Sequence, residues 1–67
     1  MKFYIWTADN FADECRRDIE YTVVSATSLY FALATFLDQF PDCQGETLVI
    51  STERAGRDAT TFRQENL

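Results

Sequence analysis

The longest helical pattern in the chain covers residues 28–40. Its apolar side chains recur at intervals of three and four residues, and they are Leu29, Ala32, Leu33, Phe36 and Phe40. Ser28 is the expected N-cap, with Thr27 or Ser25 as alternatives. Pro41 ends the pattern, because proline cannot continue a helix and disfavours helical torsions in the residue before it. A helix with a single apolar stripe needs a sheet to cover it.

Four segments have the β-branched, aromatic or alternating composition of strands, and they are residues 2–8, 17–24, 46–53 and 58–63. The first strand is apolar at both parities, which predicts a central position in the sheet. Phe3 and Ile5 are expected to face the helix. Tyr4 and Trp6 are expected on the opposite face, which the helix leaves uncovered.

The second strand alternates along its length. One face holds Ile19, Tyr21 and Val23, and the outward face holds Asp18, Glu20 and Thr22. Two carboxylates on the same face, two positions apart, are separated by about 6.7 Å. In the third strand, Leu48 and Ile50 are expected to point inward.

The remaining segments have the character of connections. Residues 9–16 have turn chemistry and no sustained period, which predicts a loop, and a single short helical turn within it stays open. Residues 54–57 contain Gly56 and are the expected hairpin connection. Residues 64–67 are expected to fray.

The order of these elements predicts one domain of the α+β class, with the topology β-β-α-β-β, over all 67 residues. A crossover through the helix makes the second and third strands parallel and leaves a gap that the first strand fills, antiparallel to both. The expected sheet is therefore four-stranded, antiparallel or mixed, in the order 2-1-3-4, with the helix on one face. The alternative is a hairpin of the first two strands set apart from a hairpin of the last two.

The chain carries 11 acidic and 6 basic residues, for a net charge of −5. Direct binding to nucleic acid is not expected, because phosphate contacts need a surface of lysine and arginine. A basic protein surface is the expected partner, and solubility alone is the alternative reason for the acidity. No apolar run has the length of a signal peptide or a membrane span, so we expect a cytoplasmic protein that does not bind membranes.

Catalytic chemistry has little support in the sequence. The chain has no histidine for proton transfer near neutral pH, and two glycines cannot form a glycine-rich phosphate loop. Asp13 and Glu14 are adjacent acids, but acid catalysis needs carboxyl groups in a cleft with different pKa values. We therefore expect no enzyme activity, no catalytic residue and no cofactor.

The two cysteines, Cys15 and Cys43, are expected to be reduced thiols in a cytoplasmic protein. Neither belongs to a CxxC pair, and histidine is absent, so no metal site is expected. Both lie at the same end of the predicted sheet, and a disulfide between them remains the alternative.

Two aromatic pairs are candidate contact residues for a protein partner. Tyr4 and Trp6 lie on the predicted uncovered face of the sheet, and Tyr30 and Phe31 project from the helix away from its apolar stripe. Exposed apolar patches often mark interfaces. The alternative for Tyr30 and Phe31 is partial burial beside the core.

The acids are unevenly distributed along the chain. Residues 9–20 hold five acids and two arginines, residues 38–46 hold three acids and no basic residue, and residues 53–65 hold three of each. The predicted topology brings the first two segments to one end of the domain and residues 54–57 to the opposite end. The candidate partner-binding residues are Asp9, Asp13, Glu14, Asp18, Glu20, Asp38 and Asp42.

The passages VSATSL at residues 24–29 and FPDCQGETLVI at residues 40–50, together with the small size, the acidity and the strand pairs around one helix, carry a resemblance. In these features the chain resembles the small acidic anti-CRISPR proteins of phages and mobile elements, in particular inhibitors of type I complexes, including type I-C. That family shares no catalytic or binding motif, so the resemblance assigns no role to any residue.

The resemblance implies a non-enzymatic inhibitor in the cytoplasm of a bacterial host. Such a protein binds a subunit of the CRISPR effector complex and blocks its DNA-binding or PAM-recognition surface, in the manner of a DNA mimic. The alternative is a regulatory or antitoxin-like subunit that forms a homodimer through Tyr4 and Trp6 or through an exposed strand edge. We expect a monomer or a weak homodimer.

Overall fold

The computed structural model describes residues 1–64, which form a four-stranded sheet and one long helix. The strands are β1 (Lys2–Thr7), β2 (Thr22–Ser25), β3 (Leu48–Ser51) and β4 (Thr60–Phe62). The helices are α1 (Ala8–Ala12), α2 (Glu14–Arg17) and α3 (Leu29–Gln39), and a 3₁₀ helix covers Pro41–Cys43. The sheet order is β2-β1-β3-β4, with every neighbouring pair antiparallel. This order confirms the predicted α+β topology and excludes two separate hairpins.

The predicted boundaries of α3 are confirmed by its caps. The hydroxyl of Ser28 accepts a hydrogen bond from the Phe31 N–H at 3.3 Å, which satisfies one of the free donors of the first turn. At the other end, the backbone of Phe40 has left helical torsions, with φ −129° and ψ 72°, directly before Pro41. No helix within residues 1–64 has the length and the apolar character needed to cross a membrane.

The main core lies between α3 and one face of the sheet. The helix contributes Ala32, Leu33 and Phe36, and the sheet contributes Phe3, Ile5, Val24, Leu48 and Ile50. Leu29 packs against this cluster at the start of the helix. Phe40, the last residue of the predicted stripe, is 42% exposed, because its backbone no longer continues the helix.

The prediction for the second strand was wrong in both its start and its faces. Arg17 ends α2, and the N–H groups of Ile19 and Glu20 both donate to the carbonyl of Arg16, so residues 18–20 form a turn. Val24 lies opposite Phe3 and is therefore the residue that faces α3. The side chain of Ile19, predicted to share a face with Tyr21 and Val23 on this strand, is 72% exposed in the turn.

Residues 9–16 were predicted as a loop, and they instead lie in two short helices and their caps. The side chain of Thr7 accepts from the Asn10 N–H at 3.4 Å and begins α1. One carboxylate oxygen of Asp13 accepts from the N–H groups of Cys15 and Arg16, at 3.0 and 3.4 Å, and begins α2. Threonine and aspartate are both favourable N-cap residues. The open alternative of a short helical turn was thus nearer to the structure than a loop.

α1 and α2 cover part of the second face of the sheet, where Trp6 lies. The ring of Phe11 meets Trp6 edge-on, with centroids 5.0 Å apart, and the guanidinium of Arg17 lies 4.3 Å from the Phe11 centroid. Trp6 Nε1 donates to the carbonyl of Arg17 at 2.8 Å. Trp6 is consequently only 1% exposed. It lies on the predicted face, but the prediction that this face is uncovered there was wrong.

Two further contacts fix the connections. The carboxylate of Asp58 accepts from the hydroxyls of Ser51 and Thr52 and from the Thr52 N–H, which closes the loop between β3 and β4. The carboxamide of Gln64 donates to the carbonyls of Cys43 and Glu46, at 3.0 and 2.6 Å, so the predicted fraying at Gln64 was wrong. Residues 65–67, for which fraying was also predicted, lie outside the described residues.

Candidate protein-binding surface

The seven candidate acids are all exposed, and most of them belong to short elements or their ends. Asp9 is on α1, Asp13 lies between α1 and α2, and Glu14 begins α2; Asp18 caps the end of α2, Glu20 is in the turn that follows, Asp38 is in the last turn of α3, and Asp42 is in the 3₁₀ helix. None of them is removed from solvent by the fold.

The two acidic segments meet at one end of the sheet. The N–H of Ala8 donates to the carbonyl of Thr47 at 3.0 Å, which ties the start of α1 to the residues that follow the 3₁₀ helix. Asp9 and Glu46 line the same surface depression beside these two residues. The structure thus brings an acid of residues 9–20 next to an acid of residues 38–46, as the topology predicted.

Glu46 was not among the candidate residues, although the depression places it beside Asp9. Its position in the acidic segment 38–46, directly before a predicted strand, was the available signal. A residue at the start of a strand lies at the same sheet end as the residue that follows the antiparallel neighbouring strand, which here is β1. We therefore include Glu46 in the acidic surface, which from here on means the seven candidate acids and Glu46.

The half-buried thiol of Cys43 reports the charge at this end. Burial raises the pKa of the Cys43 thiol above its ordinary value, and the carboxylates of Glu46 and Asp42 raise it further, because negative charge nearby disfavours the thiolate. Two carboxylates of the acidic surface therefore lie close enough to Cys43 to affect the pKa of its thiol.

Few acids of this surface form an ion pair within residues 1–64. Arg16 Nε lies 3.8 Å from Asp13 Oδ2, and the only other ion pair in this part of the chain joins Arg57 to Glu53 at 3.3 Å. Of the seven candidate acids, Asp13 alone has a described cation within 4 Å. Exposed ion pairs of this type contribute little to stability.

Two details of the predicted surface were wrong. Asp18 and Glu20 precede β2 rather than lying on it, so the spacing of about 6.7 Å on a strand does not apply to them. Gly56 lies against the ring of Phe11, so the loop at residues 54–57 reaches the segment that carries the acids instead of lying at the far end of the domain. The loop takes this path because Phe11 and Trp6 offer it an apolar surface.

The aromatic candidates differ sharply in access. Trp6 is buried and cannot contact a partner, and Tyr4 is half-buried, with its ring 5.4 Å from that of Tyr21. Tyr30 and Phe31 are 74% and 65% exposed, so the alternative of partial burial was wrong for them. These two side chains are available to a protein partner.

No group of three or more metal-ligating side chains comes together within residues 1–64. Cys15 and Cys43 are both free thiols, so the alternative of a disulfide between them is absent from the structure.

Comparisons with protein-family models, with curated proteins and with solved structures give no match. The resemblance to anti-CRISPR proteins therefore stays a prediction, and the functional argument depends on the chain's own surface.

Proposed function

We propose that this protein is a non-enzymatic inhibitor that binds the basic, DNA-binding surface of another protein through its acidic surface. The observation that carries the proposal is that all seven candidate acids are exposed and only Asp13 has a cation partner among residues 1–64. Arginines and lysines that bind phosphates also bind carboxylates, with which arginine forms bidentate hydrogen bonds. An array of uncompensated carboxylates therefore competes with a nucleic-acid backbone.

The proposed target is a subunit of a type I CRISPR effector complex in the cytoplasm of a bacterial host, with the DNA-binding or PAM-recognition surface as the site that is blocked. This part of the proposal depends on the resemblance in size, charge and topology. The outer face of α3 supports a mixed interface, because Phe31 and Asp38 are seven residues apart and therefore share one side of the helix. Aromatic side chains supply much of the binding energy in protein interfaces.

The first experiment measures competition with DNA. A purified type I-C effector complex is incubated with a labelled duplex that carries its PAM, and the protein is added at increasing concentration. We expect loss of the DNA-bound complex and a stoichiometric protein–effector complex in its place. If the effector complex still binds DNA at a large molar excess of the protein, this complex is not the target.

The second experiment tests the acidic surface by charge reversal. Asp9→Lys and Asp42→Lys each change the charge by two units, and neither side chain makes a hydrogen bond or an ion pair within residues 1–64. Asp13 is unsuitable because its side chain caps α2. We expect each variant to bind the effector about 10- to 100-fold more weakly, through like-charge juxtaposition. Glu53→Lys reverses a charge outside the acidic surface and also breaks the ion pair with Arg57. It is the charge control and should alter binding by less than about threefold.

Salt provides an independent readout of the same contacts. Binding of the unmodified protein should weaken strongly between about 50 and about 200 mM NaCl, with a shallower dependence for the two reversal variants. Binding that is indifferent to salt would assign the interface to Tyr30 and Phe31 instead. A Glu53→Lys effect as large as that of Asp9→Lys would show that the acidic surface is not the specific site.

A further inference from the structure

β2 is a short edge strand whose own residues carry no charge and no proline. It lies at one side of the sheet, and no other strand within residues 1–64 pairs with its free edge. Its sequence TVVS contains neither charge nor proline, and it pairs with β1 in continuous register. Natural edge strands are commonly very short or carry charged residues, prolines or bulges, which prevent another strand from pairing with them, and of these devices β2 has only its length of four residues.

The hydrogen bonds of β1 show which groups of β2 face outward. The Ala26 N–H donates to the carbonyl of Met1, the residue directly opposite it in the β1–β2 register. Opposite residues of an antiparallel pair alternate between bonded and non-bonded positions. Thr22 and Val24 therefore bond to β1, and Val23 and Ser25 direct their N–H and C=O groups to the free edge. The side chain of Val23 is also 45% exposed.

The other edge strand, β4, is less suited to pairing. It has three residues, one fewer than β2, and the charged residue Arg63 directly follows it. The bond from Ala8 to Thr47 fixes the phase of β3, so that Leu48 and Ile50 bond to β4. Thr61 is then the single residue of β4 whose backbone groups point outward.

A second copy of this chain fits the β2 edge in one arrangement. A two-fold axis at Val23 sets Val23 opposite its counterpart and Tyr21 opposite Ser25, which pairs outward-facing groups with one another. The paired residues 21–25 contain no acid, so no two acids face each other across the junction. Opposite residues share a sheet face, so the two α3 helices lie on the same side of the joined sheet.

The placement of α3 favours a second copy as the occupant. α3 packs on β2 and β1, so it lies over this side of the sheet. A second copy paired at the β2 edge therefore brings its own α3 beside the first, on the same face of the joined sheet. A lone peptide strand at this edge would leave the side of α3 without such a neighbour.

We propose that two copies of this protein pair through their β2 edges and form one continuous eight-stranded sheet, with the α3 helices side by side. A stable interface needs about 800 Å² from each partner, which is a sixth of the 4725 Å² surface of the described residues. One short strand edge and one side of a helix provide less than this, so the dimer is weak and reversible. This self-association is independent of the acidic surface and of its target.

Sedimentation equilibrium tests the dimer over loading concentrations from about 10 μM to about 1 mM. The apparent mass should rise above that of the 7.8 kDa monomer toward twice that value. Val23→Pro removes an outward N–H, which an edge strand tolerates, and Val23→Lys adds a charge to the edge; both should weaken dimerisation at least tenfold. Far-UV circular dichroism shows that each variant remains folded.

Thr61→Pro and Thr61→Lys make the same changes at the edge of β4 and should dimerise as the unmodified chain does. The charge-reversal variant Asp42→Lys should also dimerise, which separates this proposal from the proposed function. A monomer at every concentration would overturn the proposal, as would dimerisation that Thr61→Pro abolishes and Val23→Pro spares. A β2 edge that pairs only with the basic target protein would appear as a monomer here and would equally overturn it.

Discussion

Replacing Gly56 by alanine tests the packing that holds α1 and α2 on the second face of the sheet. Gly56 has φ +74°, and a Cβ added there would lie 2.7 Å from Cε1 of Phe11 and 3.6 Å from Cη2 of Trp6. The ring of Phe11 has little freedom to move, because it lies between Trp6 and the guanidinium of Arg17. Alanine at position 56 therefore requires both a strained backbone and a shift of the Phe11 ring.

Gly45 is the matched control for the backbone contribution. It has φ +93°, and nothing lies within 4 Å of an added Cβ. The left-handed torsion costs about 1–2 kcal/mol at either position, and the entropy that alanine removes from the unfolded chain is the same for both. Overpacking adds about 1–3 kcal/mol at Gly56 alone. Because the torsional and entropic terms are shared, we expect the free energy of unfolding to fall by about 1–3 kcal/mol more for Gly56→Ala than for Gly45→Ala.

Urea titrations followed by Trp6 fluorescence and by far-UV circular dichroism measure both losses. A domain of this length has a total stability of about 3–10 kcal/mol, so the larger loss is readily detected. Adding Phe11→Ala to Gly56→Ala should relieve the clash and restore part of the lost stability. The double-mutant cycle then gives a coupling energy between the two positions. Equal losses for the two glycine variants, or no coupling to Phe11, would refute the packing argument.

Two predictions concern titratable groups. Hydrogen bonds from the hydroxyls of Ser51 and Thr52 lower the pKa of Asp58, so its carboxylate contributes stability above its ordinary pKa of about 4, and this is lost as pH falls through the lower folded-state pKa. The urea midpoint of Asp58→Asn should therefore fall less steeply with pH below about pH 4 than that of the unmodified chain. An unchanged pH dependence would contradict this. Burial raises the pKa of Cys43, so iodoacetamide at pH about 8 should alkylate it more slowly than the exposed Cys15, as mass spectrometry can show; equal rates would count against it.

The strand order and α3 were predictable because each depends on strong local or topological rules. Ser28 and Pro41 limit the helix, and a helical crossover with a gap for the first strand leaves few possible sheets. The start of β2 was not predictable from alternation, because the alternation through residues 17–21 fits a strand and also fits a helix end followed by a turn. The cap at Asp13 favours the helix, because its carboxylate accepts hydrogen bonds from two backbone N–H groups. The spacing of apolar residues gives no information on such local hydrogen bonds.

The exposure of the acids was predictable from their charge, but their arrangement was only partly so. Asp9 meets Glu46 because sheet topology places them together, whereas the geometry of Asp18 and Glu20 changed with the start of β2. The burial of Trp6 depends on Phe11, a single aromatic residue in a segment without periodicity. Tertiary packing of one ring has no signature in the sequence pattern.

The attachment of residues 8–21 to the second face has a consequence for motion. This segment is held by the contacts of Phe11, by the packing of Tyr21 on Tyr4 and Trp6, and by the hydrogen bonds from Trp6 to Arg17 and from Ala8 to Thr47. It shares no buried residue with the core under α3. It can therefore open as a local unit while the four-stranded sheet stays folded, and its amides should exchange with deuterium faster than those of β1 and β3. Five of the seven candidate acids belong to this unit, so the shape of the negative surface that a partner meets depends on the packing of this segment against the sheet.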